Sequence, residues 1–212
     1  MAAGSDEWTS AEHALAYLER ADSIPHRVEG EAALLEHLPE RLERVLDIGT
    51  GDGRLLALVS TARPGLRGVA IDVSPTMLTA ARDRFGPSGR VEVIAHDIAQ
   101  PLPAIGTFDA VVSSFAIHHC SDERKRELYT EVFELLEPGG IFLNLEHVAS
   151  PNDRLHDAFL AAIGYTRETE DRSNILLDVE TQLRWLREIG FDDVDCHWKW
   201  RELALLAGVR RR

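Results

Sequence analysis

The sequence is poor in cysteine and in long apolar runs. Its 212 residues include only two cysteines, which cannot build a disulfide framework and which fit a reducing compartment. No apolar stretch approaches the roughly 20 residues that a membrane-spanning helix needs. The N-terminal segment is acidic and lacks the apolar core of a signal peptide. We therefore expect a cytoplasmic protein without a membrane partner.

Basic residues are also scarce. The chain has 23 Lys and Arg against 36 Asp and Glu, which gives a formal net charge of −13. Nucleic-acid binders carry a basic stripe that displaces counterions from phosphates, and here the only dense basic run is 210–212. The composition, 44% hydrophobic and 28% charged, is that of a globular protein with a full core. We expect one domain over residues 1–212 and no nucleic-acid partner.

The middle of the chain alternates between strand-like and helix-like segments. Strands of this length that alternate with helices indicate βαβ units, a parallel sheet and right-handed crossovers. Ser74 and Pro75 are typical of the N-cap and first position of a helix. The pattern predicts strands at 44–48, 67–72, 91–95, 108–113 and 141–148, and helices at 53–61, from 74 onward and at 122–136.

Helical segments flank this alternation. Helices are predicted at 10–18 and 27–38. They would make residues 1–40 an N-terminal helical lid, which is followed by a cofactor-binding core at residues 41–150. Residues 151–212 are predicted to add helices at 152–163 and 179–189, joined by a polar loop at 166–174. The strands predicted at 194–200 and 203–209 are separated by two residues, so they must form an antiparallel hairpin. Trp198 and Trp200 share one face of that hairpin and are predicted core or homodimer contacts.

A glycine-rich turn follows the first strand, in the run DIGTGDG. Glycines at such a turn allow the backbone to approach a ligand closely at the start of a helix. The dinucleotide fingerprint needs a third glycine three residues after Gly51, and Arg54 stands there. Asp47 and Asp52 would repel a pyrophosphate but attract an ammonium or a sulfonium group. The turn therefore favours a cationic ligand, although a purely structural glycine turn would look the same.

Acidic residues also follow the next two strands. Asp72 ends the second strand, where a carboxylate can accept hydrogen bonds from both ribose hydroxyls. Asp97 follows the third strand and can accept the exocyclic amine of adenine, while the N–H of Ile98 serves a ring nitrogen. Asp72 alone could be an acidic helix cap or belong to an NAD enzyme. The three signals together indicate one adenosyl ligand at the carboxyl edge of the sheet.

Five segments resemble the successive motifs of class I S-adenosylmethionine-dependent methyltransferases: VLDIGTGDGR, AIDVSP, HDI, FDAVVSSFAIHH and LLEPGGIFLNLEH. The resemblance covers about residues 25–211. It implies a doubly wound, Rossmann-like α/β fold whose seven-stranded sheet has the order 3-2-1-4-5-7-6 with strand 7 antiparallel. It also implies S-adenosylmethionine as cofactor and S-adenosylhomocysteine as product.

The resemblance implies a set of cofactor contacts. Asp47, Gly49 and Gly51 would line the methionine moiety, Asp72 would bind the ribose, and Asp97 with Ile98 would bind the adenine. The complete implied set is Arg27, Asp47, Gly49, Thr50, Gly51, Asp72, Val73, Met77, Asp97, Ile98 and Ser114, in which Met77 packs on the adenine and Ser114 lies near the sulfonium.

A looser similarity links the chain to the carboxy-S-adenosylmethionine synthase branch. The segment 23–27, the helix containing Glu180 and Thr181, and the terminal LALLAG resemble that branch. There, the residue matching Arg27 is a tyrosine that touches the cofactor, so the activity is not transferred. Arg27 could hold the methionine carboxylate of the cofactor or an anionic acceptor.

The run His118-His119-Cys120 resembles a metal cluster, but neighbours on a helix point about 100° apart and cannot chelate one ion together. We expect no metal. One of the two histidines should face the methyl-transfer site while the other packs. His118 and His147 are the candidate catalytic bases, and Tyr17, His118, Glu146 and His147 are the candidate acceptor contacts.

These observations predict methyl transfer to a small-molecule O- or N-nucleophile. Two other functions stay open, namely a protein that binds the cofactor without methyl transfer and an enzyme of the carboxy-S-adenosylmethionine synthase type. A nucleotide-dependent oxidoreductase is disfavoured because the third glycine of the dinucleotide fingerprint is absent.

Overall fold

The computed structural model describes residues 9–12, 14–15 and 24–211. Seven strands form one mixed sheet: β1 (Arg44–Ile48), β2 (Arg67–Asp72), β3 (Val91–Ala95), β4 (Phe108–Ser114), β5 (Leu136–His147), β6 (Phe191–Trp200) and β7 (Leu203–Arg210). Their order is β3-β2-β1-β4-β5-β7-β6. The first five strands are parallel, and β7 is antiparallel to both β5 and β6. The predicted sheet order and the terminal hairpin are therefore confirmed.

Helices cover both faces of the sheet. They are α1 (Arg27–Glu36), α2 (Arg54–Ala62), α3 (Pro75–Phe85), α4 (Asp122–Leu135), α5 (Asp153–Ala162) and α6 (Val179–Ile189). Strand residues alternate between the two faces because side chains in a strand have a period of two. Leu46 and Ile48 pack in the cluster that contains α4 and α6, whereas Val45 packs in the cluster that contains α1 and α2.

The helix starts follow local capping chemistry. The Ser121 hydroxyl accepts a hydrogen bond from the N–H of Arg124 at the start of α4, and the Asp178 carboxylate accepts one from Thr181 at the start of α6. Pro75 occupies the first turn of α3 as predicted. Ser74 holds the N-cap position as predicted, although its side chain makes no capping hydrogen bond.

Two strands begin earlier than predicted. β5 starts at Leu136, although Pro138 and two glycines were predicted to precede the strand. Its pairing with β4 has an irregularity between Phe108 and Ala110, which accommodates these residues. β6 starts at Phe191, and its pairing with β7 shifts between Asp192 and Asp195.

Only parts of the chain before residue 27 are described. Residues 11–12 and 14–15 are helical, and Ala14 is buried. Helix α1 packs against β5, β6, β7 and α2. Residues 16–18 of the predicted first helix, including the proposed acceptor contact Tyr17, lie outside the described residues. No helix in the described part of the chain has the length and apolar character needed to cross a membrane.

Candidate active site

A pocket with an empty volume of about 1150 Å³ opens at the carboxyl edge of the sheet, the edge where open α/β sheets bind ligands. The eleven residues that the resemblance implied as cofactor contacts all line it. They are Arg27, Asp47, Gly49, Thr50, Gly51, Asp72, Val73, Met77, Asp97, Ile98 and Ser114. The structure thus brings residues from α1, four consecutive strand ends and α3 to one site.

The glycine turn after β1 forms the floor of the pocket. Gly49 has a φ of +66°, and a Cβ added to it would lie 2.2 Å from the Cβ of Ala116. Gly51 has a φ of +56°, and a Cβ there would have only the Met77 sulfur as a neighbour, at 4.0 Å. The first glycine is therefore required by close packing as well as by its φ, whereas the second leaves the backbone open toward the pocket.

Asp47 is a buried carboxyl group with one satisfied oxygen. Its Oδ2 accepts a hydrogen bond of 2.6 Å from the Thr50 hydroxyl, while its Oδ1 is buried and has no hydrogen-bond partner among the described residues. Burial above all, with smaller contributions from the nearby carboxylates of Asp72 and Asp52, raises the pKa of Asp47 to about 7, against the hydrogen bond from Thr50. An ammonium group would satisfy the free oxygen, so this site fits the methionine end of the implied cofactor.

Asp72 is held by the glycine turn. Its carboxylate accepts 2.8 Å hydrogen bonds from the backbone N–H groups of Gly51 and Ser74. Burial raises the pKa of Asp72, although hydrogen bonds from Ser74, Gly51 and Val73 oppose the shift. A carboxylate oriented in this way retains lone pairs for two ribose hydroxyls.

Asp97 and Ile98 lie just beyond β3. The Oδ1 of Asp97 accepts a 2.9 Å hydrogen bond from the N–H of Ala99, and its carbonyl accepts one from Gln100. The turn therefore fixes one carboxylate oxygen of Asp97 and leaves the other as an acceptor. Met77, which is 1% exposed, lies on the opposite side in α3.

Two arginines of the pocket share one acidic partner. Arg27 donates a 2.9 Å hydrogen bond to Glu31, and Arg54 donates two, at 2.8 and 3.0 Å, to the same buried carboxylate. The Arg27 guanidinium lies 5.6 Å from the centre of the Phe115 ring.

The turn after β4 closes one side of the pocket. Ser114 ends β4 with a buried hydroxyl that has no hydrogen-bond partner in the described ranges. Phe115 has a φ of +53°, which is uncommon for a bulky residue. The chain then forms a short 3-10 turn at Ile117–His119, so His118 and His119 do not lie on an α-helix as assumed.

This turn separates the two adjacent histidines. His119 lines the pocket, whereas His118, Glu146 and His147 lie behind the pocket wall. The Nδ1 of His118 lies 2.5 Å from the Oε1 of Glu146, and the His118 ring stacks 4.1 Å from that of His119. His147 is bound through its Nε2 to Glu202 at 3.0 Å. Three of the predicted acceptor contacts, His118, Glu146 and His147, therefore do not line the pocket.

Burial pushes His118, His119 and Glu146 toward their neutral forms. Desolvation lowers the pKa of His118 well below its usual value, and it lowers the pKa of His119 to about 3. Desolvation also raises the pKa of Glu146 to about 7. Near neutral pH, Glu146 is therefore partly protonated while His118 stays uncharged.

Sequence reasoning missed several residues of the pocket wall. They share a position after a strand or in the first turn of α2 or α4, and they are Arg54, Leu55, His96, Ala99, Phe115, Ala116, Cys120, Ser121 and Arg124. The signal available was their adjacency to predicted contacts. Asp52 also lines the pocket, where a cationic ligand was expected, and His119 is the one of the two adjacent histidines that faces it. Within the described ranges, no group of three or more His, Cys, Asp or Glu side chains is arranged to hold a metal.

The fold and this pocket define a class I S-adenosylmethionine-dependent methyltransferase, and the comparisons agree. Residues 45–140 match the family described as "Methyltransferase domain". A demethylmenaquinone methyltransferase of Clavibacter sepedonicus is 31% identical over 169 residues, which cover 72% of this chain and 67% of that protein. The chain therefore belongs to this methyltransferase family.

Two further similarities concern the whole fold. A carboxy-S-adenosyl-L-methionine synthase of Klebsiella pneumoniae is 28% identical over 196 residues, which cover 84% of this chain and 78% of that protein. The apo structure of the S-adenosylmethionine-dependent methyltransferase SibL superposes with a TM-score of 0.70 and 26% identity, covering 92% of this chain and 58% of SibL. Five other curated relatives are longer, and the match spans only 8% to 56% of their length.

Proposed function

We propose that the chain transfers the methyl group of S-adenosylmethionine to an oxygen or nitrogen nucleophile of a small molecule. The observation that carries this proposal is the placement of Asp47, Asp72 and Asp97, which belong to or follow three consecutive strands and line one pocket with the glycine turn. Three acids spaced along one edge match the ammonium, ribose and adenine donors of the cofactor.

Each residue has one role in this proposal. Asp47, Gly49, Thr50 and Gly51 hold the methionine moiety, with the unsatisfied Asp47 oxygen facing its ammonium. Asp72 and Val73 hold the ribose, Asp97 and Ile98 read the adenine edge, and Met77 packs on the adenine ring. Ser114 lies beside the sulfonium, and Arg27 holds a carboxylate of the cofactor or of the acceptor.

The bound cofactor supplies a methyl group that is already activated by its sulfonium. The chain therefore has to align the acceptor for in-line displacement and to exclude water. Alignment of two reactants alone contributes roughly 7–11 kcal/mol to lowering a barrier. The turn at residues 114–119 is the wall best placed for this task, because Ala116 touches the glycine turn at Gly49.

His118 does not line the pocket, so it is proposed as a base that acts from directly behind His119, and Glu146 orients it. When Glu146 is ionised, its carboxylate accepts the Nδ1–H of His118 and leaves Nε2 as the basic nitrogen. Because the pKa of Glu146 is raised to about 7, this state is favoured above neutral pH. Glu146 is 1% exposed, so it serves as a positioning residue, and His147, which does not line the pocket, is proposed to act at a distance and not as a first contact.

The acceptor is proposed to be small because the chain carries a net charge of −13, which repels polyanions. Phe115 lines the pocket beside Arg27 and packs against the cluster that contains Phe159 and Trp200. This side of the pocket suits a compact acceptor with an apolar body and one protic group. Tyr17 stays a proposed contact from the N-terminal segment, and a homodimer stays a proposal.

Carboxy transfer onto the cofactor is a second candidate function. It is favoured by the similarity to the Klebsiella pneumoniae synthase over most of both chains and by the Arg27–Arg54 pair beside the pocket. The two functions differ in their products. Mass spectrometry of the cofactor after turnover would show S-adenosylhomocysteine for methyl transfer and a heavier, carboxylated cofactor for the alternative.

Calorimetric titration tests the proposal at its first step. S-adenosylhomocysteine should bind, NAD should not, and a chelator should leave the affinity unchanged. Protein loaded with methyl-labelled cofactor should then transfer the label to a fraction of small metabolites, and Glu146→Gln should reduce that transfer while keeping the affinity for S-adenosylhomocysteine. Absence of S-adenosylhomocysteine binding would refute the cofactor assignment, and label found only in protein or RNA would refute the acceptor class.

A further inference from the structure

Arg124 is a buried cation of the pocket that no proposed role yet uses. It lies in the first turn of α4, and it is 7% exposed. Its Nε donates a 2.8 Å hydrogen bond to the carbonyl of Ile98, and its Nη2 donates a 2.9 Å bond to the carbonyl of Gln100. The guanidinium is therefore hydrogen-bonded to the segment that carries Asp97 and Ile98, the proposed adenine contacts.

Glu131 anchors this guanidinium two turns further along α4. Its two carboxylate oxygens accept bonds of 2.6 and 2.8 Å from Arg124, in the bidentate geometry that gives arginine pairs their directional strength. The same carboxylate accepts a 2.9 Å hydrogen bond from the N–H of Leu102. The Arg124–Glu131 pair thus ties three peptide groups between Ile98 and Leu102 to α4.

The 98–102 segment depends on these hydrogen bonds because it has little regular structure of its own. Between the end of β3 at Ala95 and the start of β4 at Phe108 there is no helix or strand. Pro101 and Pro103 have no backbone N–H to donate. Its carbonyl groups need outside donors, and Arg124 supplies two of them. The position of the Ile98 carbonyl, on the same residue as the proposed adenine N–H donor, is consequently fixed from α4.

The geometry points to Arg124 as a positioning residue that sets the base specificity of the cofactor site, an inference that rests on the proposed function. By fixing the 98–102 segment, Arg124 holds the Asp97 carboxylate and the Ile98 N–H in the one arrangement that accepts an amine and donates to a ring nitrogen. A purine with a 6-oxo group presents the opposite pattern, with an acceptor at position 6 and a donor at N1, and is rejected.

Two ligands separate this role from a merely structural one. S-adenosylhomocysteine and S-inosylhomocysteine differ in the 6-substituent and in the protonation of N1, so the ratio of their dissociation constants measures how the purine edge is read. A site built to bind a polar group rejects the mismatched analogue strongly. We expect wild-type protein to prefer S-adenosylhomocysteine and Arg124→Met to lose about tenfold of that preference.

Arg126→Met is the matched control. Arg126 lies on the same helix, its side chain is 53% exposed, and it pairs with Glu188 at 2.9 Å, so its replacement removes the same charge without touching the 98–102 segment. The ratio should stay within about twofold of wild type in this control. Arg124→Lys keeps the charge but lacks the planar fork, and it should give an intermediate ratio, which preserves the test if Arg124→Met fails to fold.

The outcomes are distinguishable by calorimetry. A ratio that falls in Arg124→Met and in Arg124→Lys, but not in Arg126→Met, supports the inference. Equal weakening of both ligands, with an unchanged ratio, overturns it, because Arg124 would then only stabilise the loop. A wild-type ratio near unity also overturns it. Failure of wild-type protein to bind S-adenosylhomocysteine would instead refute the proposed function.

Discussion

Raising the pH from about 6 to about 8 should strengthen the binding of S-adenosylhomocysteine, and Asp47 should account for the gain. The free protein holds the Asp47 carboxyl with a pKa of about 7, because burial disfavours its ionised form. An ammonium of the ligand needs that ionised form. Binding below the pKa must therefore release a proton, whereas binding above it need not.

The size of the effect follows from the pKa. The ionised fraction of a group with a pKa of about 7 rises from roughly 9% to roughly 91% over this pH interval, which corresponds to about a tenfold gain in affinity, or ~1.4 kcal/mol. The Thr50 hydroxyl, at 2.6 Å, lowers the pKa of Asp47. Thr50→Val should therefore move the midpoint of the gain to higher pH.

Stability of the free protein should change in the opposite direction. The folded-state pKa of Asp47 is raised from 3.8 to about 7, so the folded state binds this proton more tightly than the unfolded state. Asp47 should therefore destabilise the fold increasingly between these two pH values and fully above the second. The upper limit is roughly 4 kcal/mol, from 1.36 kcal/mol per unit of pKa.

Calorimetry in two buffers of different ionisation enthalpy would count the protons released on binding. Asp47→Asn is the matched variant, because it keeps the size of the side chain and cannot ionise. It should bind more weakly with an affinity that is flat over the interval, and it should unfold at a higher denaturant concentration than wild type at about pH 8. Equal wild-type affinity at both pH values, without proton release, would refute the reasoning.

Two further substitutions test the geometry of the site. Asp72→Asn has one acceptor oxygen, so it can accept only one of the hydrogen bonds from Gly51 and Ser74. Calorimetry should show the binding free energy of S-adenosylhomocysteine weakened by about 3 kcal/mol. Unchanged affinity would exclude the ribose role. Gly49→Ala should lower the unfolding free energy in a denaturant titration by roughly 2–4 kcal/mol, through its clash with Ala116 and its φ. Gly89→Ala is the control, because Gly89 has a φ of +67° but no atom within 4 Å of an added Cβ. It measures the cost of the positive φ alone. Equal losses of unfolding free energy in the two variants would mean that the contact with Ala116 is relieved by a local shift.

Local patterns were enough to predict most of the fold. β1, β2, β3 and α6 lie where predicted because each is a continuous apolar or amphipathic run between clear breakers. The early start of β5 could not be predicted, since Pro138 and its following glycines usually end an element. Gly140 instead lets the strand continue, because a Cβ there would lie 2.9 Å from the Glu137 carbonyl oxygen and 3.1 Å from that of Asp109.

The proposed cofactor contacts and the proposed acceptor contacts differ in how far the sequence predicts them. Asp72 and the glycines are predictable because they follow buried strands, and strand ends meet at one edge by topology. The sequence does not predict which of His118 and His119 faces the pocket. That choice depends on the left-handed φ of Phe115 and on the 3-10 turn that follows. Arg124 could not be identified either, since its partners lie in an irregular segment about 25 residues earlier.

The charges of the pocket bear on turnover as well as on binding. Among the hydrogen bonds described, Asp47, Asp72 and Asp97 accept from neutral hydroxyl or backbone donors, whereas Arg27 and Arg54 share the Glu31 carboxylate and Arg124 is held by Glu131. The three arginines are thus largely neutralised by glutamates that do not line the pocket. The three aspartates have no cationic partner among these hydrogen bonds. Such a pocket attracts a sulfonium more than the neutral thioether left after methyl transfer. The acids that favour entry of the charged cofactor therefore hold its product less tightly, which favours exchange at the end of each cycle.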